Sequence, residues 1–175
     1  FKTNIIDSPT EDNDDIFDFS EKENNVLVYD MVEAIKKAKT DEKIKGISIE
    51  TDGLRAGMTQ LDAVRTALQD FKKSGKFVYA YGNNVSQPAY YLGSVADEYF
   101  LNPAGGIELK GLSTEVLYMK SFTEKFGIGT EIIRHGKYKS AVEPFMRDDM
   151  SPENKEQIST MLNDLWSNNA TKIAA

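Results

Sequence analysis

The chain has 175 residues, 40% of them hydrophobic, and a formal net charge of −7. This length and composition fit one globular domain with its own core, whereas the acidic charge argues against binding nucleic acid or an anionic lipid surface. The absence of cysteine excludes disulfides, thiolate metal sites and a cysteine nucleophile, and one histidine cannot form a typical zinc site.

The first part of the chain is polar and acidic. We predict a poorly ordered arm over residues 1–25 and a single domain over 26–175, because DSPTEDNDDIFDFSEKENN at 7–25 has few apolar residues. No run approaches the roughly 20 apolar residues of a membrane helix. A chain that begins with Phe and has no signal peptide is expected to be a fragment of a longer protein.

Helix and strand patterns alternate over the rest of the chain. Amphipathic helices are predicted where apolar residues recur every three or four positions. These residues are Leu27, Met31, Ala34, Ile35 and Ala38; Leu61, Val64, Ala67, Leu68 and Phe71; Val116, Met119, Phe122 and Phe126; and Ile158, Met161, Leu162, Leu165 and Trp166. The last helix is predicted to begin at Ser151-Pro152-Glu153, with a serine N-cap and a proline at the first helical position.

Strands are predicted at 44–50, 77–82, 98–102 and 130–134, and a glycine-rich loop at 103–111. Strands that alternate with helices indicate an α/β fold with parallel strands and right-handed crossovers. The turn TDGLRAGM at 51–58 could bind an anion or oxyanion through backbone N–H groups. It matches no nucleotide-binding motif, so a tight turn is the favoured interpretation.

Ser86 lies in NVSQPAYYLGS, at the predicted turn into a helix. Serine at such a position is most often an N-cap, and the local sequence favours that role. The alternative is a nucleophile presented at the helix start. The G-x-S-x-G nucleophile motif is not met, because Asn84 and Pro88 stand at its glycine positions.

The segment 135–149 contains further candidates. His135 is interpreted as a loop histidine, and the adjacent Asp148 and Asp149 as a polar turn. Lys139 is either a solvated loop lysine or a general base. A lysine acts as a base only when neutral, so its pKa must fall by several units from about 10.4 through desolvation. The pattern alone leaves both interpretations of Lys139 open.

The stretch GKYKSAVEPFMRDDMSPENKEQI at 136–158 closely resembles the N-terminal half of the long form of bacterial signal peptide peptidase, also called protease IV. The similarity continues in order through VYDMVEAIKKAKTDEKIKGISIETDG, LQDFKKSGKFVYAYGNNVSQPAYYLGSVADEYFLNPAGGIELKGL and LYMKSFTEKFGIGTEIIR. The resemblance implies the Clp protease/crotonase-like fold, with repeated β-β-α units and mostly parallel strands.

The resemblance also implies a serine protease with a Ser-Lys dyad that degrades signal peptides already released into the membrane. Lys139, in YKS, is then the general base, and the nucleophilic serine belongs to the C-terminal half of the same polypeptide. Ser86 stands at the corresponding position of this half, where Gln87 and Pro88 replace two glycines, so it is interpreted as a vestigial nucleophile position. No cofactor or metal is implied.

The family's assembly and location complete the expectation. The full-length form is expected to be a homo-tetramer, anchored in the inner membrane by an N-terminal segment missing here, and facing the periplasm. Two alternatives stay open: a short-form peptidase whose dyad joins Ser86 and Lys139 of neighbouring protomers, and a non-catalytic scaffolding domain. A crotonase-type thioester enzyme is a further option from the fold alone.

Overall fold

The computed structural model describes residues 3–8, 24–129 and 140–175. Its elements are, in chain order, β1 Thr3–Ile6, β2 Asn24–Leu27, α1 Val28–Thr40, β3 Gly46–Glu50, β4 Arg55–Ala56, α2 Met58–Lys72, β5 Phe77–Val85, α3 Gln87–Gly93, β6 Glu98–Ile107, α4 Lys120–Lys125, a 3-10 helix Ser140–Val142, α5 Glu143–Met146 and α6 Pro152–Ala174. They form two compact units, Phe1–Lys110 and Gly111–Ala175. Two such units can belong to one domain, so the predicted domain over 26–175 stays a prediction.

The described residues of the first unit form two three-stranded parallel sheets. One has the strand order β2-β1-β4 and the other β3-β5-β6. Parallel neighbours need a crossover segment between them. The chain passes through α2 between β3 and β5, and through α3 between β5 and β6. The predicted α/β class with parallel strands is confirmed.

The core of the first unit lies where α2 and α3 pack against β5. The helix α2 buries its predicted stripe, since Leu61, Val64, Leu68 and Phe71 are each at most 2% exposed. Burial of one such side chain contributes about 1.5–3 kcal/mol. Along β5, burial begins at Val78 and alternates over the next residues, as expected for a strand with one covered face.

The predicted arm contains the whole of β1 and the first two residues of β2, Asn24 and Asn25. β1 pairs with both β2 and β4, and its Ile5 is 2% exposed. The expectation of a poorly ordered arm is therefore wrong for residues 3–6 and 24–25, because pairing between strands that are distant in sequence satisfies their backbone groups. Residues 9–23 lie outside the described residues, and the arm prediction for them stays a prediction.

β6 is longer than predicted. It continues to Ile107, and Gly106 pairs with Asn84 beyond a register shift in β5. The loop prediction is wrong for residues 103–107, because pairing with β5 outweighs the low strand propensity of proline and glycine. Gly105 suits this place, since a Cβ there would overlap the Asn83 carbonyl.

The third predicted helix is shorter than expected. α4 begins at Lys120, because the N–H of the preceding Met119 donates to the Pro144 carbonyl at 2.6 Å instead of to a helical partner. It ends just before Gly127, whose φ of 67° stops a helix. Its predicted apolar residues Phe122 and Phe126 are exposed. The strand predicted at 130–134 lies outside the described residues.

The start of α6 is confirmed. Ser151 has the extended backbone of an N-cap, and its Oγ accepts the N–H of Asn154 at 3.2 Å. Pro152 is the first helical residue. Met161 and Leu165 on the predicted apolar stripe are 52% and 49% exposed. Among the described residues, no helix is long and apolar enough to cross a membrane.

We predict that Gly105→Ala destabilises the fold by about 1–3 kcal/mol, because the new Cβ forces the backbones of β5 and β6 apart. Gly106→Ala is the matched control, since a Cβ at Gly106 meets nothing within 4 Å. Urea unfolding followed by circular dichroism measures both changes. Equal midpoints for the two variants would contradict the close approach of the strands.

Candidate active site

Candidate residues occur in both units, and each unit is described by itself. In the first unit, β3, β5 and β6 end at the same edge of their parallel sheet. Ligands of open parallel α/β sheets bind outside this carboxyl edge. A pocket of about 370 Å³ opens there, lined by Asn84, Val85, Ser86, Gly106, Ile107 and Glu108.

Ser86 is exposed and follows β5 directly, at the N-cap position of α3. Its carbonyl accepts the N–H of Tyr90 at 2.8 Å. Its side chain makes no capping hydrogen bond within the described part of the chain. Ser86 therefore occupies the N-cap position that we favoured, but its hydroxyl does not make the expected capping hydrogen bond. A chemical role of Ser86 stays a prediction.

Asp52 fixes the turn after β3 to the end of β5. Its carboxylate accepts the backbone N–H groups of Asn83 and Asn84 at 2.9 Å, and it also accepts the Asn83 side-chain amide. The two backbone hydrogen bonds lower the pKa of Asp52, and the Asn83 side chain adds to them. The turn thus places a carboxylate beside backbone donors. Gly53, with φ of 67°, supports the tight-turn interpretation.

Asn83 extends this network toward β6. Its Oδ1 accepts the side-chain amide of Asn102 at 2.7 Å and the hydroxyl of Tyr81 at 3.0 Å. Asn102 Oδ1 in turn accepts the N–H of Ala104 at 2.9 Å. The sequence analysis missed Asp52, Asn83 and Asn102, although two asparagines at the end of a strand were a usable signal.

The helix after Ser86 is held by a buried cation on α2. Arg65 is 3% exposed, and its Nη1 donates to the Tyr91 carbonyl at 2.6 Å and to Ser94 Oγ at 2.8 Å. Its guanidinium lies 5.1 Å from the Tyr91 ring centroid. The Tyr91 hydroxyl donates to Asp62 at 2.5 Å. These contacts fix α3 against α2 on the core side.

In the second unit, Lys139 and His135 lie outside the described residues, whereas the chain from Ser140 onward is described. The 3-10 helix and α5 follow Lys139 directly. Glu143, the first residue of α5, is 1% exposed. Its carboxylate accepts Ser151 Oγ–H at 2.5 Å, Asn154 Nδ2–H at 3.1 Å and the Ser151 N–H at 3.3 Å. The hydrogen bond from the Ser151 hydroxyl is the main cause of the lowered pKa of Glu143.

The adjacent acids Asp148 and Asp149 make two different contacts. Asp148 accepts the N–H of Ser121 at 3.1 Å and its hydroxyl at 2.5 Å, at the start of α4. Asp149 pairs with Arg147 at 2.9 Å. The two carboxylates therefore stabilise the turn, as the polar-turn interpretation predicted. No group of three or more potential metal ligands is found within the described ranges.

Residues 70–175 match the family model described as Peptidase family S49, and the chain belongs to this family. The family has the Clp protease/crotonase-like fold, which confirms the predicted fold class. The family match and the relatives named below confirm the resemblance to protease IV read from the sequence. They do not test the roles of individual residues.

Similar proteins carry related names. The chain is 43% identical over 144 residues to "Protease 4" of Haemophilus influenzae, covering 82% of this chain and 23% of that protein. It is 41% identical over 149 residues to "Protease 4" of Salmonella typhi, with 85% and 24% covered. For "Serine protease SPPA, chloroplastic" of Arabidopsis thaliana the identity is 36% over 132 residues, with 75% and 20% covered. The chain thus spans about a quarter of the length of these relatives or less.

We predict that Asp52→Asn lowers the urea midpoint at neutral pH and reduces its dependence on pH. The folded-state pKa of Asp52 lies below its usual value of 3.8, so its stabilising contribution is present above that value. The contribution is lost as the pH falls through the lowered pKa. Urea titrations at neutral and acidic pH measure the effect.

Glu50→Gln is the matched control, because the exposed Glu50 side chain makes no hydrogen bond within the described residues and lies two positions away. Its pH dependence should follow that of the unmodified chain. An Asp52→Asn variant with an unchanged pH profile would show that the carboxylate does not hold the turn.

Proposed function

We propose that the chain is the lysine-bearing half of a serine peptidase with a Ser-Lys dyad, which degrades released signal peptides. Lys139 is the general base, and a serine in a C-terminal half of the same polypeptide is the nucleophile. The observation that carries the proposal is the YKSAVEPFMRDDMS stretch at 138–151, in a chain of Peptidase family S49. The relatives named as proteases, at 41–43% identity, support it.

In the proposed mechanism, neutral Lys139 takes the proton of the serine hydroxyl while the serine oxygen bonds to the scissile carbonyl carbon. The resulting ammonium then gives that proton to the leaving amine as the peptide bond breaks. Water hydrolyses the acyl-enzyme, with the lysine again acting as base. No histidine is needed in this scheme, so the single histidine of the chain is no obstacle.

Two features argue that Ser86 is not this nucleophile. Pro88 has no N–H, which removes one backbone donor from the helix start that would stabilise an oxyanion. The Asp52 carboxylate accepts the N–H groups of Asn83 and Asn84, so a negative charge lies close to the pocket of Ser86. A developing oxyanion is disfavoured beside that charge.

One observation favours a second candidate. Ser86 is exposed in a pocket and its hydroxyl caps no helix, as a nucleophile requires. In that case Ser86 and Lys139 of neighbouring protomers form the dyad of a short-form peptidase. A scaffolding role, in which Lys139 is an ordinary solvated lysine, is the third outcome that the experiment separates.

The proposal extends to location and assembly. Attachment to the inner membrane, a periplasmic orientation and a homo-tetramer follow from the family resemblance alone. Peptide substrates and the C-terminal half are the expected partners.

We predict that a serine-reactive fluorophosphonate leaves the intact mass of this chain unchanged, because the nucleophile lies elsewhere. Ser86→Ala and Ser113→Ala serve as matched variants, since both serines are exposed. An adduct lost only in Ser86→Ala would overturn the half-site proposal in favour of the second candidate.

In the natural full-length polypeptide, we expect Lys139→Ala to lower peptidase activity by about 10²–10⁴-fold while the oligomer survives. Lys155→Ala is the control, because Lys155 is exposed on α6 in the same unit. Full activity in Lys139→Ala would reject Lys139 as the base. Loss of activity together with loss of the oligomer would contradict a purely chemical role.

A further inference from the structure

A buried carboxylate holds a helix of only four residues. Glu143 begins α5, is 1% exposed, and lies four positions after Lys139. A buried charge is strongly unfavourable unless hydrogen bonds satisfy it. A four-residue helix does not itself require an ionised residue in that position. The burial of this carboxylate is therefore not explained by α5 itself.

The hydrogen-bond donors that satisfy Glu143 lie at the start of α6. The two Glu143 oxygens accept the Ser151 hydroxyl and the Asn154 amide, and the same Ser151 Oγ accepts the Asn154 N–H that begins the helix. The positive end of the 23-residue α6 also favours a negative charge there. Glu143, Ser151 and Asn154 thus form one buried cluster, which we call the Glu143 cluster.

The same stretch is fixed on its other side. The Pro144 carbonyl accepts the Met119 N–H at 2.6 Å, and Asp148 accepts the N–H and hydroxyl of Ser121. Residues 143–148 are thereby bound both to α6 and to the start of α4. A segment with so many anchors cannot shift without breaking several hydrogen bonds at once.

We propose that Glu143 is a positioning residue for Lys139, and that the Glu143 cluster fixes the chain immediately after the lysine onto the first turn of α6. The inference rests on the proposed function, in which Lys139 is the base. The cluster acts through the backbone of residues 140–142, since Glu143 itself needs no contact with substrate. A general base works only within hydrogen-bond reach of its proton, and a misplacement of about 1 Å can lower a rate about 10²-fold.

The test measures kcat and KM of the natural full-length polypeptide with a signal-peptide substrate. Glu143→Ala and Ser151→Ala are expected to lower kcat about 10²-fold and to change KM less than about threefold. Glu143→Gln keeps one acceptor oxygen and should lose about tenfold in kcat. Ser151→Thr keeps the hydroxyl and should restore nearly full activity. Glu153→Gln is the matched control, because it removes a carboxylate from the same helical turn outside the cluster.

A second readout does not depend on peptidase activity. Neutral amines react with an acylating reagent, so the labelling rate of Lys139, relative to Lys155 in the same molecule, reports how neutral the lysine is. We expect the ratio to fall about threefold or more in Glu143→Ala and to stay constant in Glu153→Gln. Urea midpoints show whether each variant is folded. If Glu143→Ala does not fold, the same comparison is made with Glu143→Gln and Ser151→Thr.

The outcomes separate the two proposals. Unchanged kcat and an unchanged labelling ratio in folded Glu143 variants would overturn the positioning role, even if Lys139→Ala is inactive. A lower kcat explained entirely by a lower folded fraction, with the ratio constant, would also overturn it and leave a structural role only. An active Lys139→Ala protein would reject the proposed base, whereas a changed labelling ratio would still support the positioning of Lys139 by the Glu143 cluster.

Discussion

The parallel pairing of β3, β5 and β6 is the constraint on which the first unit depends. Parallel strands cannot be joined by tight turns, so helices must cross between them and all three strands must end at one edge. That edge is where the chain is free of ladder hydrogen bonds and where turns can present side chains. Asp52 and Asn83 come together there although 31 residues separate them in the sequence. Their proximity is a consequence of topology and not of any local motif.

Two carboxylates carry out the same physical task in different units. Asp52 accepts backbone N–H groups at the end of β5, and Glu143 accepts donors on the first turn of α6. In both cases a single side chain satisfies donors that belong to a turn or a helix start, where the backbone has no partner of its own. An ionised acceptor suits this task because its hydrogen bonds are stronger than those of a neutral group. The cost is that a negative charge becomes a fixed part of each turn, which limits the chemistry that can occur beside it.

The local sequence pattern correctly predicted those elements that are stabilised by interactions within a few residues. The stripe of α2 and the Ser151-Pro152 start of α6 are both present, since periodicity and capping act within a few residues. The predictions fail where contact with a segment distant in sequence determines the local structure. β1 exists through pairing with β2 and β4, β6 continues through one proline and two glycines because β5 is beside it, and α4 begins late because of Pro144. The anchors Asp52 and Glu143 were missed for the same reason, although a glutamate among apolar neighbours in SAVEPF was a signal of a buried acid.

The stretch at 138–151, on which the resemblance to protease IV mainly rests, contains several residues with a structural task. Glu143 and Ser151 hold the start of α6, Asp148 holds the start of α4, and Arg147 pairs with Asp149. None of these contacts performs a reaction step, and each fixes the chain that follows Lys139. The proposed role of Lys139 as base rests on the resemblance and not on spacing, because a lysine's chemistry depends on desolvation that no sequence pattern displays. Under the proposed function, the specific sequence after Lys139 has a physical explanation, because these contacts fix the chain that must hold the lysine within hydrogen-bond reach of the serine proton.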